Sequence, residues 1–387
     1  MKNLETLIRE LCPDGVEFVK LRDCCSFKRG TTITAKNAIP GDVPVLAGGQ
    51  KPAYYHNVAN RTGETIVVAG SGAYAGFVSY WTIPVFLSDS FSVEPDDRLV
   101  IKFVYYFLKN IQQKIFATKK GSGVPHVHGS SIEKFEIPLP PIEVQTEIVR
   151  ILDKFTSLEA ELEAELDCRK RQYEYYRDKL LSFDNEGGQE VEWKKMSEVC
   201  KNICSGGTPL TSKAEYYDGN IPWLRTQEVD YCEIHSTLRN ITQLGLENSS
   251  AKMIPANCVI VAMYGATAAK VAINKIPLCT NQACCNLEID EKQALVRYVY
   301  QWICKQYEVL KAMGEGSQHN INAKKVKDFK IPIPSLEEQH RIVSILDRFE
   351  SLTTSLQSGL PAEIAARRQQ FEHYRDKLLT FKRKGAA

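Results

Sequence analysis

Short polar stretches in both halves of the chain carry side chains that could contact nucleic acid. Lysine and arginine pair with phosphate, whereas arginine, glutamine and asparagine can make paired hydrogen bonds to guanine or adenine in the major groove. Examples are KRGTTITAK, from Lys28, and SGGTPLTSK, from Ser205. On this basis the candidate DNA-contacting residues are Lys28, Arg29, Thr31, Gln50, Lys51, Lys119, Lys120, His126, Thr208, Lys213, Arg225, Gln227, His319, Asn320 and Lys324.

Two further polar stretches occupy matching places in the two halves, each shortly before a long helical segment. KKGSGVPHVHG begins at Lys119, and MGEGSQHNINAKK begins at Met313. Each could offer backbone N–H and ammonium groups to phosphate, and a histidine to a base edge. The alternative is a flexible surface turn whose histidine is only solvated. Trp223, close to Arg225, is expected to lie in the core and not to act as a stacking platform.

No catalytic motif is recognisable in the sequence. It contains no G-x-S-x-G, no phosphate-binding P-loop and no D/N-P-P-Y/F motif of amino-methyltransferases. Gly70, Gly72 and Gly76 lack the G-x-G-x-x-G spacing, and β-like residues follow them, which predicts a tight turn in a sheet and not a cofactor site. We therefore expect no catalytic residue, no metal site and no cofactor bound by this chain.

Charge is unevenly distributed although the net charge is only +2. Residues 20–134 carry 14 basic and 8 acidic side chains, a charge of +6, whereas residues 135–183 carry 7 and 11, a charge of −4. Residues 190–328 are close to neutral at +1, and residues 329–387 carry +3. The first block thus suits an acidic partner such as DNA, while the second is too weakly basic for charge to decide.

Cysteine usage and hydropathy point to a cytoplasmic protein. The twelve cysteines are irregularly spaced and include no C-x-x-C pair, which predicts reduced, mostly buried thiols. No run of eighteen apolar residues exists, so no membrane span is expected. The N-terminus is too acidic for a signal peptide and predicts a short amphipathic helix stopped by Pro13 and Gly15.

The elements that must position the polar stretches occur twice, because the chain is an internal duplication. YRDKLLSF, from Tyr176, returns as YRDKLLTF, from Tyr374. Upstream, FEIPLPPIEVQTEIVRILDKFTSL pairs with FKIPIPSLEEQHRIVSILDRFESL at an offset of 194. Each half reads as an opening strand, a β-rich block with a late helix, and a long helical segment. The second block is longer, and the additional residues fall between Cys204 and Val259.

The two long segments show heptad patterning with four-residue steps, which predicts helices packed as a coiled coil. The first should be one nearly continuous helix. The second should be kinked or divided, with Gly359 at the C′ position of one helix, Pro361 in the first turn of the next, and a capping box from Ser335 to Glu338. The predicted seam and docking residues are Ile148, Ile151, Phe155, Leu162, Tyr176, Leu180, Ile342, Ile345, Phe349, Leu356, Tyr374 and Leu378.

The expected fold class is α+β, with two pseudo-symmetric globular domains joined by two long helices packed as an antiparallel coiled coil. The predicted segments are an N-terminal helix at 1–14, a first recognition domain at 15–137, a helical spacer at 138–183, a linker at 184–189, a second recognition domain at 190–331, a second spacer at 332–381 and a tail at 382–387.

With its two unlike blocks and two near-identical segments of the form P-x-P-x-x-x-x-Q-x-x-I-V-x-I-L-D-[KR]-F, the chain resembles the specificity subunit of a type I restriction-modification system. The resemblance implies a non-catalytic subunit whose two blocks each read one half of a split DNA target. It implies that the repeated helices act as spacer and dock two modification (methyltransferase) subunits, with restriction/translocase subunits as further partners. The complex would use S-adenosylmethionine, and ATP and Mg²⁺ for restriction. No base-reading residue is carried over, because the blocks are variable.

Two other classes remain as alternatives. A coiled-coil adaptor would bind protein only and show no salt-dependent affinity for DNA. An enzyme with an unrecognised site would methylate or cut DNA as a purified chain. Within the preferred class, LEAELEAEL, from Leu158, holds tandem four-residue units, and we expect their number to affect the spacing between half-sites.

Overall fold

The computed structural model describes residues 4–121, 123–183, 191–315, 320–355 and 358–385. The chain divides into two compact units. Unit 1 comprises Met1–Ala164 and Ala362–Ala387, and unit 2 comprises Glu165–Pro361. The division cuts through both helical spacers, so that each unit combines one globular block with parts of helices from both copies of the repeat.

The first half of the chain begins with a short helix and continues as a strand-rich block. Its elements are α1 (Leu4–Leu11), β1 (Glu17–Lys20), β2 (Cys25–Arg29), β3 (Val43–Leu46), β4 (Tyr54–His56), β5 (Thr65–Ala69), β6 (Val78–Trp81), β7 (Phe86–Leu87), β8 (Ser90–Pro95), α2 (Ile101–Asn110), α3 (Gln112–Phe116), α4 (Gly129–Ile132), β9 (Glu136–Leu139) and α5 (Ile142–Leu180).

The second half repeats this order with additional elements. They are β10 (Glu192–Lys195), β11 (Cys200–Ser205), β12 (Tyr217–Leu224), β13 (Cys232–Ile234), β14 (Asn240–Ile241), α6 (Gln243–Glu247), β15 (Met253–Ile254), β16 (Val259–Ala262), β17 (Val271–Asn274), β18 (Leu278–Thr280), β19 (Cys284–Ile289), α7 (Val296–Lys305), α8 (Tyr307–Ala312), α9 (Ala323–Asp328), β20 (Lys330–Ile333), α10 (Leu336–Thr354) and α11 (Leu360–Leu378).

Both blocks contain the same pair of sheets. In unit 1 an antiparallel sheet has the order β2-β8-β5-β6, and a smaller sheet has the order β4-β3-β7 with β3 parallel to β7. Unit 2 has the orders β11-β19-β16-β17-β13 and β14-β12-β18-β15. The edge strands β13 and β15, together with α6, lie in the longer region between Cys204 and Val259, where the sequence places the additional residues.

The predicted opening strand of each half pairs with the strand that leads into the long helix. β1 is antiparallel to β9, and β10 is antiparallel to β20. These partner strands contain the repeated F-x-I-P-x-P segment, and their Ile137 and Ile331 are fully buried. The late helix of each block is broken where one helix was predicted, because the backbone leaves the helical region at Ile111 and at Gln306.

The long helices follow the predicted division. α5 runs for 39 residues without a break, whereas the second copy consists of α10 and α11 with 19 residues each. Ser335 caps α10 by accepting a hydrogen bond from the N–H of Glu338 (3.3 Å), and Pro361 lies in the first turn of α11. The C′ assignment of Gly359 is wrong, since α10 already ends at its cap Ser355.

Gly359 serves a close approach of the backbone instead. A Cβ at this position would lie 2.6 Å from the carbonyl oxygen of Ser351 and 2.7 Å from that of Leu352. Glycine is therefore required where the chain folds back over the last turn of α10 before α11 begins.

Helices from the two copies pack antiparallel within each unit. In unit 1 the ring of Phe155 stacks on Tyr374 at 5.4 Å, and Arg368 pairs with Glu159 and Glu163. Residue numbers thus rise along α5 as they fall along α11. In unit 2, Tyr176 stacks on Phe349 at the same 5.4 Å. The tyrosine of each octet therefore meets the phenylalanine of the other copy's I-L-D-[KR]-F segment.

The predicted seam residues differ in depth. Ile148 and Ile342 are fully buried. Tyr176 and Tyr374 are 40% and 43% exposed, and Leu356 lies outside the described residues. The half-buried members are Ile151, Phe155, Leu162, Leu180, Ile345, Phe349 and Leu378. Heptad reasoning missed Leu152 and Leu346, which are fully buried because the first turns of α5 and α10 also pack on their own blocks.

The arginines of the two octets, Arg177 and Arg375, are largely covered by neighbouring side chains. The side chains of Arg177 and Arg375 are only 20% and 16% exposed. Their guanidinium groups lie over the rings of Tyr173 and Phe371 respectively. No helix in the described part of the chain is long and apolar enough to cross a membrane.

Candidate nucleic-acid interface

In unit 1, three polar loops meet around the turn between β5 and β6. At the end of β2, the N–H of Thr31 donates to the carbonyl of Leu87 (2.9 Å). The loop after α3 is tied to the turn by a hydrogen bond from Gly72 to Pro125 and another from Val127 to Gly70, both 2.9 Å. Gly72 and Gly76 have positive φ angles, as a tight turn requires, so the interpretation of this glycine-rich stretch as a turn is confirmed.

Arg29 and His126, both predicted from sequence, line one cavity of about 210 Å³. The Nη2 of Arg29 lies 3.3 Å from Oδ1 of Asp89, whose other carboxylate oxygen accepts a hydrogen bond from Ser71. Nδ1 of His126 lies 2.7 Å from the carbonyl oxygen of Val124. Since a carbonyl oxygen only accepts, Nδ1 is the donor in this contact, which leaves the Nε2 side of the ring to other partners.

The remaining candidates of unit 1 lie at the rim of these loops. Lys28 pairs with Glu94 at 2.5 Å. Burial would raise the pKa of Glu94, but hydrogen bonds from Lys28 and Ser92 outweigh it, and the net shift is downward. Lys119 donates to the carbonyl of Ala73 and lies 4.4 Å from the centre of the Phe116 ring. Exposed side chains in this region are Thr31, Gln50, Lys51 and Lys120.

Unit 2 builds an equivalent cluster from different side chains. The N–H of Gly207 donates to the carbonyl of Thr280 (2.9 Å), as Thr31 does to Leu87 in unit 1. Thr208 then hydrogen-bonds Gln282. Oδ1 of Asn320 lies 3.4 Å from the N–H of Gly265, at the turn that matches the one in unit 1.

Arg225 is the most constrained cation of this second cluster. Its side chain is 33% exposed, and its Nε lies 3.8 Å from Oε1 of Glu228. That buried Nε has no hydrogen-bond partner among the described residues. Lys213 pairs with Glu215, Gln227 and Lys324 are exposed, and His319 lies outside the described residues. Trp223 is buried, as expected, and donates to the carbonyl of Gly207.

Sequence reasoning missed the residues that hold these candidates in place. Asp89, Ser71 and Gln282 were not selected, because single polar residues after a strand carry no distinctive pattern. Their signal is positional, since Asp89 and Gln282 follow the matching residues Leu87 and Thr280 by two. Asp89 and Gln282 therefore lie in the two loop clusters, where they contact the candidates Arg29 and Thr208 respectively.

A buried glutamine in each repeat joins the block to its long helix. Gln145 accepts from the N–H of Val100 (2.8 Å) and donates to the carbonyls of Arg98 and Pro140. Gln339 makes the same three bonds to Leu295, Gln293 and Pro334. Val100 and Leu295 are the N-caps of α2 and α7, so each glutamine satisfies an otherwise unpaired N–H at a helix start.

A charged contact of each repeat supports the same junction. Asp153 accepts from Lys102 Nζ (2.7 Å) and from the hydroxyl of Tyr106 (2.6 Å). In unit 2, Arg297 pairs with Asp347 at 2.5 Å and with Glu350 at 2.6 Å. Burial would lower the pKa of Arg297, but these two carboxylates raise it above its ordinary value. In each unit, the block that carries the loop cluster is thus joined to its long helix by a buried hydrogen-bonded glutamine and by an ion pair.

Another cavity lies elsewhere, in unit 2. It measures about 450 Å³ and is lined by Tyr173, Tyr231, Tyr300 and Tyr307 together with charged groups of α5 and α10. None of the predicted DNA-contacting residues lines it. No group of three or more possible metal ligands occurs among the residues that the structure describes.

Comparison with solved structures defines the class of fold. The type I restriction-modification S subunit from M. genitalium superposes with a TM-score of 0.61, covering 94% of this chain and 96% of that chain at 19% identity. The HsdS subunit from Thermoanaerobacter tengcongensis gives a TM-score of 0.51 over 95% of this chain and 97% of that chain, at 17% identity. The fold is therefore that of type I S subunits.

Sequence comparison identifies the family. The type I restriction modification DNA specificity domain matches residues 13–167 and 189–366. The EcoR124I/EcoR124II specificity subunit of Escherichia coli is 40% identical, covering 74% of this chain and 72% of the relative. A putative type I restriction enzyme specificity subunit of Haemophilus influenzae is 29% identical, covering 98% and 100%. The chain belongs to this family and is a type I restriction-modification specificity subunit.

Proposed function

We propose that this chain binds double-stranded DNA at a bipartite target, with one half-site read by the loop cluster of each unit. The observation that carries the proposal is the repetition of one loop cluster with unlike side chains. Arg29 and Asp89 in unit 1 correspond to Ser205 and Gln282 in unit 2. Equivalent placement suits two contacts with one duplex, and unlike chemistry suits two different base sequences.

The long helices would set the distance between the half-sites and dock two modification subunits. The pseudo-symmetric stacks of Phe155 on Tyr374 and of Tyr176 on Phe349 support this role. A duplicated scaffold presents two similar surfaces to two copies of one partner. Restriction/translocase subunits are further partners where the system has them.

The chain itself would be a non-catalytic, cytoplasmic subunit. S-adenosylmethionine would be used by the modification subunits, and ATP and Mg²⁺ by the restriction subunits. The residues of the loop clusters are hydrogen-bonding and cationic groups in turns, which suits recognition of a surface. Methylation would therefore require the assembled complex.

The test is binding of the purified complex of this chain with its modification subunits to DNA that contains the methylated sequence. With about 6–10 phosphate contacts, the affinity should fall by about 10³–10⁵-fold between 50 and 200 mM salt. Replacing the rim cation Lys120 by alanine should lower the salt slope slightly without changing the preferred sequence. A complex that assembles but binds DNA without salt dependence would instead indicate a protein-only adaptor.

A further inference from the structure

We propose that Arg29 reads a guanine in the half-site bound by unit 1, with Asp89 orienting its guanidinium group. This assignment rests on the proposed function, since it names a base-reading pair within the first loop cluster. It is derived from the contacts of the two side chains and from the residues that replace them in unit 2.

Arg29 is the last residue of β2, and its side chain lies at the surface. Its side chain is 69% exposed, and its Nη2 donates to Oδ1 of Asp89 at 3.3 Å. Among the described residues, Asp89 is the one protein acceptor of this guanidinium. A guanidinium has five N–H groups, so most of them are left for a ligand.

Asp89 is fixed from two sides. Its Oδ2 accepts from the hydroxyl of Ser71, and its backbone carbonyl accepts from the N–H of Gly70 at 2.9 Å. A Cβ on Gly70 would lie 2.9 Å from that carbonyl oxygen, so the turn and the aspartate are in close contact. A carboxylate held in this way restricts the guanidinium before DNA binds, which reduces the entropy lost on binding.

Two other arginines of the first block are used by the fold itself. Arg61 donates from Nε to Ser92 (2.9 Å) and from Nη1 to the carbonyl of Asn60 (2.8 Å). Arg98 is paired with Asp96 and also donates to the carbonyl of Asp23. Arg29 therefore differs from them in combining exposure with a single oriented contact. Its planar fork matches the N7 and O6 acceptors of guanine, the commonest specific partner of arginine in the major groove.

Unit 2 lacks this pair at the matching position. Gly30 packs on Leu87 as Gly206 packs on Thr280, and a Cβ on either glycine would lie about 2 Å from the opposing carbonyl oxygen (2.1 Å and 2.0 Å). This equivalence aligns Arg29 with Ser205. The arginine–aspartate pair should therefore specify a base in one half-site only, and the other half-site serves as an internal control.

The first experiment maps N6-methyladenine in cells that express the companion subunits with wild-type chain, Arg29→Ala or Arg22→Ala. Arg29→Ala should reduce the preference for one G·C pair by roughly tenfold and leave the other half-site unchanged. Arg22→Ala, which removes another exposed arginine with an aspartate partner, Asp23, should leave the sequence unchanged. An identical motif with Arg29→Ala, loss of all methylation from a complex that still assembles, or a target without a G·C pair in either half-site would overturn the assignment.

A second experiment uses purified complex and DNA in which the assigned guanine is replaced by 7-deazaguanine, which lacks the N7 acceptor. Wild-type complex should bind this DNA several-fold more weakly, and Arg29→Ala should not distinguish the two DNAs. Asp89→Asn, which keeps the side-chain shape, should show an intermediate response and replaces Arg29→Ala should that variant fail to assemble. Equal sensitivity of variant and wild type would reject the pair. Absence of any methylation that depends on the wild-type gene would instead reject the proposed function.

Discussion

At the scale of single residues, the repeated glutamine of the P-x-P-x-x-x-x-Q segment illustrates why the helical repeats are so similar. Gln145 and Gln339 are fully buried, and each makes three hydrogen bonds that join a helix start to the long helix. Removing such a group leaves buried N–H and C=O groups unsatisfied, which costs about 1–3 kcal/mol for each. The same junction occurs in both repeats, and this explains why both segments contain the glutamine.

We predict that Gln145→Ala will loosen α2 and that Gln339→Ala will loosen α7. The N–H of Val100 or of Leu295 loses its acceptor in each case. Amide hydrogen exchange of the full chain, read by mass spectrometry, should show exchange about tenfold faster in the peptide that covers the affected helix start. Each variant serves as the control for the other, and equal changes in both units would contradict this local role.

Several roles of single residues could be predicted from the sequence, and several could not. The burial of Trp223 and the tight turn at Gly72 followed from local patterns. The Arg29–Asp89 contact joins residues 60 apart, and no local pattern reports such a pairing. Gly359 was misassigned because sequence alone does not distinguish a left-handed glycine from one required by a close backbone approach.

At the scale of elements, the duplicated strands and helices were predictable because their periodicity is strong. The β-rich blocks contain the expected strands, and the long segments form the helices α5, α10 and α11. The depth of the helix seam was less predictable. Heptad spacing describes a helix that contacts one partner, whereas the first turns of α5 and α10 also contact a globular block, which buries Leu152 and Leu346.

The aromatic stacks between the helices should be energetically coupled. In a double-mutant cycle, Phe155→Ala and Tyr374→Ala should show a coupling of about 0.5–1.5 kcal/mol in the free energy of urea unfolding followed for unit 1. Phe155→Ala combined with Tyr176→Ala is the matched control, because Tyr176 stacks on Phe349 instead. That control pair should be additive within about 0.5 kcal/mol, and a coupling as large as that of the stacked pair would contradict the packing.

The four-residue units of LEAELEAEL, all within α5, should affect target spacing. One unit adds about 6 Å of helix, on the order of one to two base pairs of axial rise. Insertion of one EAEL unit should lengthen the unspecified gap between half-sites and leave both half-site sequences unchanged, as read by N6-methyladenine mapping. A variant with one unit replaced by alanines at constant length should keep the wild-type gap. Changed half-site bases with an unchanged gap would refute the spacer role.

At the scale of the whole molecule, the cysteines lie mostly in the buried parts of the folded chain. All twelve are free thiols, and eight are buried. Burial raises the pKa of Cys200, Cys258 and Cys285 to about 12, so these thiols stay protonated at pH 8. Thiols in such surroundings are inert.

We predict that a thiol reagent at pH 8 will modify few cysteines in the folded chain and all twelve in denaturant. The difference arises because the unfolded thiols regain an ordinary pKa near 8.5 and full access. Cys168, half-buried on α5, should be among the first to react, and Cys168→Ala should remove a fast phase. Rapid modification of all twelve in the native chain would contradict the buried core.

The central claim is that one chain reads two half-sites with two unlike copies of one loop cluster. Mapping N6-methyladenine in cells that carry the modification subunits, with and without this gene, tests it most directly. We predict a motif that depends on the gene and consists of two different defined half-sites, at least one with a G·C pair, separated by a fixed number of unspecified bases. A single contiguous motif, or methylation unchanged by loss of the gene, would contradict it.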